Sequence, residues 1–186
     1  MSTADTARVH ALLDTERRML LATASAVPPR FRERRPATGR WSVAEVIDHL
    51  ARVEEGVATL LAARGATAPA APADEAVLAA AQLTPERIAN LRNRRMLFEA
   101  PERVRPGAEP DFDTAVQRVA RAREALLAAL GACDPVALRQ VTYVHPALGR
   151  LTLEGWVESV AHHEARHAAQ ITEIAEALRS GEVAPA

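Results

Sequence analysis

The sequence predicts an all-α protein: a four-helix bundle with a long helical excursion between its second and third helices. Apolar residues recur at three- and four-residue spacing along four long segments. Period-2 alternation of β-branched residues is scarce, and only 3% of residues are aromatic. The stretch between the second and third segments is about 45 residues long, far more than an up-down hairpin requires.

The first segment, about residues 4–27, carries Val9, Leu12, Leu13, Leu20, Ala24 and Val27 on one stripe. Glu16 and Arg17 interrupt the stripe, and Pro28–Pro29 end it. The second opens at Ser42, where Ser42-Val43-Ala44-Glu45 has the form of a capping box. Val43, Val46, Leu50, Val53, Val57 and Leu60 then continue one apolar face to near Gly65. Residues 66–75 are rich in alanine and proline and read as a loop. A short helix follows, then another opened by Thr84-Pro85-Glu86, with threonine as N-cap and proline at the first helical position. Residues 100–110 hold three prolines and one glycine and read as irregular.

The third long helix spans about Phe112 to Leu130, with Phe112, Val116, Val119, Leu126 and Leu130 inward, and ends at Gly131 and Pro135. Residues 139–151 read as extended and turn-like. The last helix begins near Thr152 or Leu153 and runs to about Arg179, with Gly181 as its stop. There is no internal repeat, and the expectation is a single domain over residues 1–186.

The chain has 186 residues, 48% hydrophobic and 25% charged, a composition that argues against wholesale disorder. Its 23 basic and 24 acidic residues leave a charge of −1, which disfavours nucleic acid as the main partner. Every basic residue is arginine, so Schiff-base chemistry on a lysine is excluded. Cys133, alone of its kind, excludes an intrachain disulfide and a cysteine metal cluster, and reads as a small buried side chain past the third helix. No run approaches the roughly 18 apolar residues of a membrane span, and the N-terminus lacks a secretory apolar core. These features predict a soluble, cytoplasmic protein with no membrane partner.

His163 and His167 stand four apart, so one helical turn stacks them on a single face. Trp156, Val160, Ile171 and Ile174 share that face, which points both imidazoles toward the core. His162 lies about 100° away with Glu158, Arg166 and Glu173 and reads as solvated. A His-x-x-x-His pair is a two-point chelate for a divalent ion, but needs further ligands. His49, inward between Val46 and Val53, supplies a third if the second and fourth helices are neighbours.

Alone, His49 reads first as a satisfied core or boundary histidine, and packing explains the isolated pair as readily as ligation does. The run His163-Glu164-Ala165-Arg166-His167 also matches the zinc-protease His-Glu-x-x-His pattern. No sheet and no later histidine accompany it, which disfavours a protease. A carboxylate-bridged di-iron centre would need a second Glu-x-x-His, which is absent. Asp48 and Glu164 are candidates to accept a histidine N–H, although each reads first as a solvated helix carboxylate. Arg94, Arg95, Arg103 and Arg105 in the excursion are candidates to recognise a carboxylate-bearing molecule. His145, before Pro146, reads as a turn residue, and Trp41 and Trp156 read as core anchors.

Three segments resemble a known family. Trp41-Ser42-Val43-Ala44-Glu45-Val46-Ile47-Asp48-His49-Leu50 resembles the start of the second helix in the DinB-like superfamily. His145-Pro146-Ala147-Leu148-Gly149-Arg150-Leu151-Thr152 resembles the segment before its fourth helix. His163-x-x-x-His167 followed by Ala168-Ala169-Gln170-Ile171 resembles the fourth helix itself. The resemblance extends over nearly the whole chain, whereas the excursion at residues 66–110 matches no motif of the family.

What the resemblance implies is a bundle holding a divalent metal on three histidines, here His49, His163 and His167. Zinc or nickel suits that set best, and iron, cobalt or manganese also fits it. Well-understood members are transferases using low-molecular-weight thiols such as bacillithiol or mycothiol, and homodimers are common among them. The implied partners are therefore a small-molecule thiol and an electrophilic substrate. An ion on three neutral imidazoles keeps its full charge and lowers the pKa of a bound thiol or water. The leading expectation is a thiol S-transferase. The alternatives are a hydrolase using metal-bound water with Glu164 as general base, and a non-catalytic, stress-associated metal-binding module.

Overall fold

Short polar residues fix where most of the helices begin. In the computed structural model, which describes residues 3–183, α1 spans Thr3–Ser25 and a single turn, α2, spans Pro29–Arg32. Next, α3 spans Val43–Arg64, and its capping box is complete: Glu45 N–H donates to Ser42 Oγ at 3.2 Å, and Ser42 N–H donates to Glu45 Oε2 at 2.8 Å. Asp74 caps α4 (Glu75–Ala80) and Thr84 caps α5 (Pro85–Arg92). A short 3₁₀ turn at Glu102–Val104 precedes α6 (Phe112–Gly131), capped by Asp111. Then α7 (Pro135–Gln140), capped by Asp134, leads into an antiparallel hairpin of β1 (Thr142–His145) and β2 (Gly149–Thr152). The long α8 spans Leu153–Val183. Residues 1, 2 and 184–186 of the expected domain lie outside the described residues.

The four long helices α1, α3, α6 and α8 form the bundle: α3 packs along α6, α1 along α8, and α3 also meets α8. Their apolar faces form two separate clusters. Leu20, Phe31, Ile47, Val119 and Ile171 belong to one, and Leu13, Leu61, Leu126, Leu153 and Val160 to the other.

Between these clusters each helix contributes one buried charge to a shared layer: Arg17 on α1, Glu54 on α3, Arg123 on α6 and Glu164 on α8. Arg17 Nε donates to Glu164 Oε1 at 2.6 Å and its terminal nitrogen pairs with Glu54. Arg123 donates to Glu54 at 3.0 and 3.2 Å and to Glu164 Oε2 at 3.1 Å. Each guanidinium also donates to a backbone carbonyl, Arg17 to Val119 at 2.8 Å and Arg123 to Leu13 at 3.0 Å. Both carboxylates are 0% exposed, so each charge depends on its partners for the solvation it has lost. The break in the first apolar stripe at Arg17 is this layer.

The structure corrects several expectations. The first helix stops at Ser25 rather than at residue 27, and α2 follows, burying Phe31. The helix α7 was not anticipated, although Asp134-Pro135 is an N-cap followed by proline at the first position. The extended stretch after it pairs into a hairpin whose turn reaches Gly149 at φ 72°, a left-handed conformation suited to glycine. Gly181 does not end α8, which continues to Val183 because no left-handed cap forms there.

The face of α8 read as solvated is covered in part: His162 and Arg166 are buried, Glu158 is half-buried and Glu173 is exposed. The excursion packs there, with α5 against α8 and Arg92 donating to His162 Nδ1 at 3.1 Å. Asp48 and Glu164, also read as solvated, are buried as well.

Two predictions follow from the charge layer. Arg123→Met leaves two buried carboxylates sharing one guanidinium and should cost about 3–5 kcal/mol in urea unfolding. Arg105→Met, which removes an exposed pair with Glu99 and Glu102, should cost at most about 1 kcal/mol; equal costs would refute the layer's special role. Burial pushes the Glu164 carboxyl up from 4.5 to about 7, with Glu54 adding to the push against Arg17 and Arg123. The folded chain thus holds this proton more tightly than the unfolded one. Its stabilising contribution is complete below about pH 4.5 and declines as pH rises through about 7. The wild-type unfolding free energy minus that of Glu164→Gln should therefore fall across this window, and a rising difference would contradict the shift.

Candidate metal centre and its cavity

The register of α3 places His49 inward beside Val46 and Leu50, and the contact of α3 with α8 brings it against His163 and His167. Ring centroids lie 5.2 Å apart for His49 and His163, 5.0 Å for His49 and His167, and 4.4 Å for His163 and His167. One ligand atom from each of the three lies within 4.8 Å of the others.

The outward nitrogens select the tautomers. His49 Nδ1 donates to the Val104 carbonyl at 2.7 Å, and His167 Nδ1 donates to Gln170 Oε1 at 2.7 Å, which frees each Nε2 lone pair for a ligand role. The His163 and His167 Nε2 atoms are 2.9 Å apart. Two nitrogens about 2.0–2.1 Å from one ion, at a right angle to each other, would be separated by about that distance. His163 Nδ1 is buried without a hydrogen-bond partner, so no acceptor orients this imidazole as Val104 and Gln170 orient the other two.

Burial holds the His49 imidazole below its usual pKa, against the opposing pull of the Val104 carbonyl and Asp48. Burial, reinforced by the neighbouring imidazoles, holds His163 and His167 well below theirs. All three are therefore neutral near pH 7, the state in which an imidazole ligates. The donor set and its hydrogen bonds fit a divalent ion.

The histidines open onto a cavity of about 1180 Å³. Trp41 packs its ring 4.9 Å from His49, and Trp156 packs 4.5 Å from His145. Both tryptophans line the cavity as well as anchoring the core. His145 Nδ1 accepts the Ala147 and Leu148 amides at 3.1 and 3.2 Å, which gives it the expected turn role, and burial pushes its pKa down to about 4.

The excursion supplies another wall, and residues adjacent to the histidine ligands hold it. Arg166 donates to the carbonyls of Leu91, Asn93 and Met96, and its guanidinium lies 5.0 Å over the Phe98 ring. Asp48 accepts Gly107 N–H at 2.8 Å and also pairs with Arg52 and Arg118.

Other sequence candidates are placed differently. Glu164 spends both oxygens on Arg17 and Arg123 in the charge layer, and Asp48 bonds the excursion rather than a histidine. Arg94 pairs with Glu173, and Arg105 pairs with Glu99 and Glu102. Arg95 does not line the cavity, and among the described residues Arg103 is the one of those four whose guanidinium stands at its wall without a partner. Sequence reasoning missed Gln170 and Val104 as partners of the ligands. Gln170 stands three residues after His167, a helical spacing that signals contact, whereas a backbone carbonyl carries no residue signature.

The DinB superfamily's sequence profile matches residues 12–171. The uncharacterized protein YuaE of Bacillus subtilis (strain 168) is 29% identical over 145 residues, covering 77% of this chain and 83% of that protein. The crystal structure of TT2238, a four-helix bundle protein, superposes with a TM-score of 0.57 at 23% identity, covering 89% of this chain and 97% of that one. That likeness supports the bundle architecture. Since the profile spans most of the sequence, including the helices that carry the three histidines, the chain belongs to the DinB superfamily.

Proposed function

We propose that this protein is a metal-dependent enzyme that transfers a low-molecular-weight thiol to or from an electrophilic small molecule. The observation that carries the reading is the convergence of three neutral imidazoles at the wall of a cavity large enough for two small molecules. His49, His163 and His167 would hold the ion, zinc or nickel first among the candidates. When bound there, such an ion lowers the pKa of a coordinated thiol.

The chain's own residues prepare that site. The Val104 carbonyl and the Gln170 side chain orient two of the three imidazoles, so neither His49 nor His167 needs to reorient on binding. Trp41, Trp156 and the excursion wall off part of the site from water.

The thiol must come from outside, because Cys133 is poorly placed to serve. It packs against Gly65, its thiol lies 3.2 Å from the Ala129 carbonyl, and burial pushes its pKa up. The hydrolase alternative loses its base, since Glu164 is committed to two arginines.

Protein purified without a histidine tag should carry near-stoichiometric divalent metal by mass spectrometry. His49→Ala and His163→Ala should lose it while remaining helical, and Gln170→Ala should weaken metal affinity about 10–100-fold. Absence of metal after reconstitution with several divalent ions would sink the reading. With metal loaded, consumption of an electrophile should require added thiol and should be unchanged in Cys133→Ala. Thiol-independent turnover would instead favour a hydrolase.

A further inference from the structure

The cavity does not share the charge balance of the chain. Its lining carries six arginines against two glutamates, whereas the whole sequence has 23 basic and 24 acidic residues. Both glutamates are already paired, Glu173 with Arg94 at 3.0 Å and Glu99 with Arg105 at 2.7 Å. Arg166 is committed to the carbonyls of the excursion.

Of the three arginines left in the lining, Arg40 adjoins Trp41 before α3, and Arg64 and Arg103 gather at Tyr143. The Arg64 guanidinium lies 5.8 Å from the centre of the Tyr143 ring. Arg103 lines the cavity beside that ring, and an adjoining depression shares Arg103 and Tyr143 and adds Arg150. Arg150 donates to the Thr142 hydroxyl at 3.2 Å. Among the described residues, none of Arg64, Arg103 and Arg150 forms an ion pair. These guanidiniums lack a carboxylate partner, and an oxyanion among them would supply one while matching the planar fork of each. Inward from this cluster the wall is apolar, formed by Val53, Val57 and Leu60 as far as Trp156.

We propose that the mouth of the cavity, where Arg64 and Arg103 meet Tyr143 and Arg150 lines the adjoining depression, binds the oxyanion of a small organic acid. Its apolar body lies along Val53, Val57 and Leu60. The inference builds on the proposed function only in directing the other end of this molecule to the histidines; the anion subsite itself needs no ion. It narrows the small-molecule partner to an amphipathic anion, the arginines reading the charge and the aliphatic wall the body.

The test compares two fluorescent probes on EDTA-treated protein: anilinonaphthalene sulfonate, and N-phenylnaphthylamine, which keeps the aromatic body without the sulfonate. The anion should bind at least about tenfold more tightly at low ionic strength. Raising the salt from about 0.01 M to about 1 M, which shortens the screening length from about 30 Å to about 3 Å, should weaken the anion alone. The variant Arg64→Gln/Arg103→Gln/Arg150→Gln should lose the preference and still bind the neutral probe, which reports an intact cavity. Should that variant also lose the neutral probe, Arg150→Gln alone decides, and its preference should fall severalfold.

Equal binding of the two probes by the wild type, or an undiminished preference in the variants, overturns the proposal. The two readings fail separately. His163→Ala should lose metal and keep the probe preference, whereas a metal-loaded protein without that preference would retain the proposed function and lose this inference.

Discussion

A closed layer of two arginines and two glutamates sets the relative positions of all four bundle helices. Each helix contributes one charge, so no pair of helices can slide by a turn without stranding a charge away from water. Apolar packing alone is more forgiving, because alanine- and leucine-rich faces accommodate small shifts in register. Arginine suits the task in a way lysine does not: both Arg17 and Arg123 reach two carboxylates and a backbone carbonyl from one planar group. The three histidines depend on this arrangement. They come from two helices and converge only if α3 and α8 are held in one register.

A second set of contacts joins the bundle to the excursion, and its members are neighbours of the ligands along the chain. Asp48 precedes His49, Arg166 precedes His167, and each reaches out to backbone of the 91–107 segment. Helical geometry lets adjacent residues serve different directions, one imidazole toward the cavity and one charged group toward its cover. Cavity wall and donor set are thereby positioned by the same turns of helix.

Much of this was legible in the sequence, for reasons that also explain what was not. The bundle helices follow from long apolar stripes, and the start of α3 from its capping box, because both signals are local. The histidine pair followed from its four-residue spacing, and His49 from its place on an inward face. The charge layer did not appear, since a helical wheel treats Arg17 or Glu54 as an interruption or a solvated residue unless its partners on other helices are known. His162 and Arg166 were misplaced for a related reason: the surface that covers them comes from α5 and the loop after it, whose docking no periodicity announces. The short α7 had an N-cap and proline signal, but one too brief to stand out beside the hairpin.

The hydrogen bond from His49 to Val104 also bears on how the cavity can change over evolutionary time. What the imidazole requires from the excursion is a peptide oxygen, which every residue type provides. Side chains along that segment, Leu97, Phe98 and Arg103 among them, can therefore be exchanged without removing the acceptor that orients the imidazole, provided the backbone keeps its path. The donor set and the shape of the cavity are thus separable heritable traits. Relatives built on the same three histidines are free to diverge in what they admit by drift in one irregular segment.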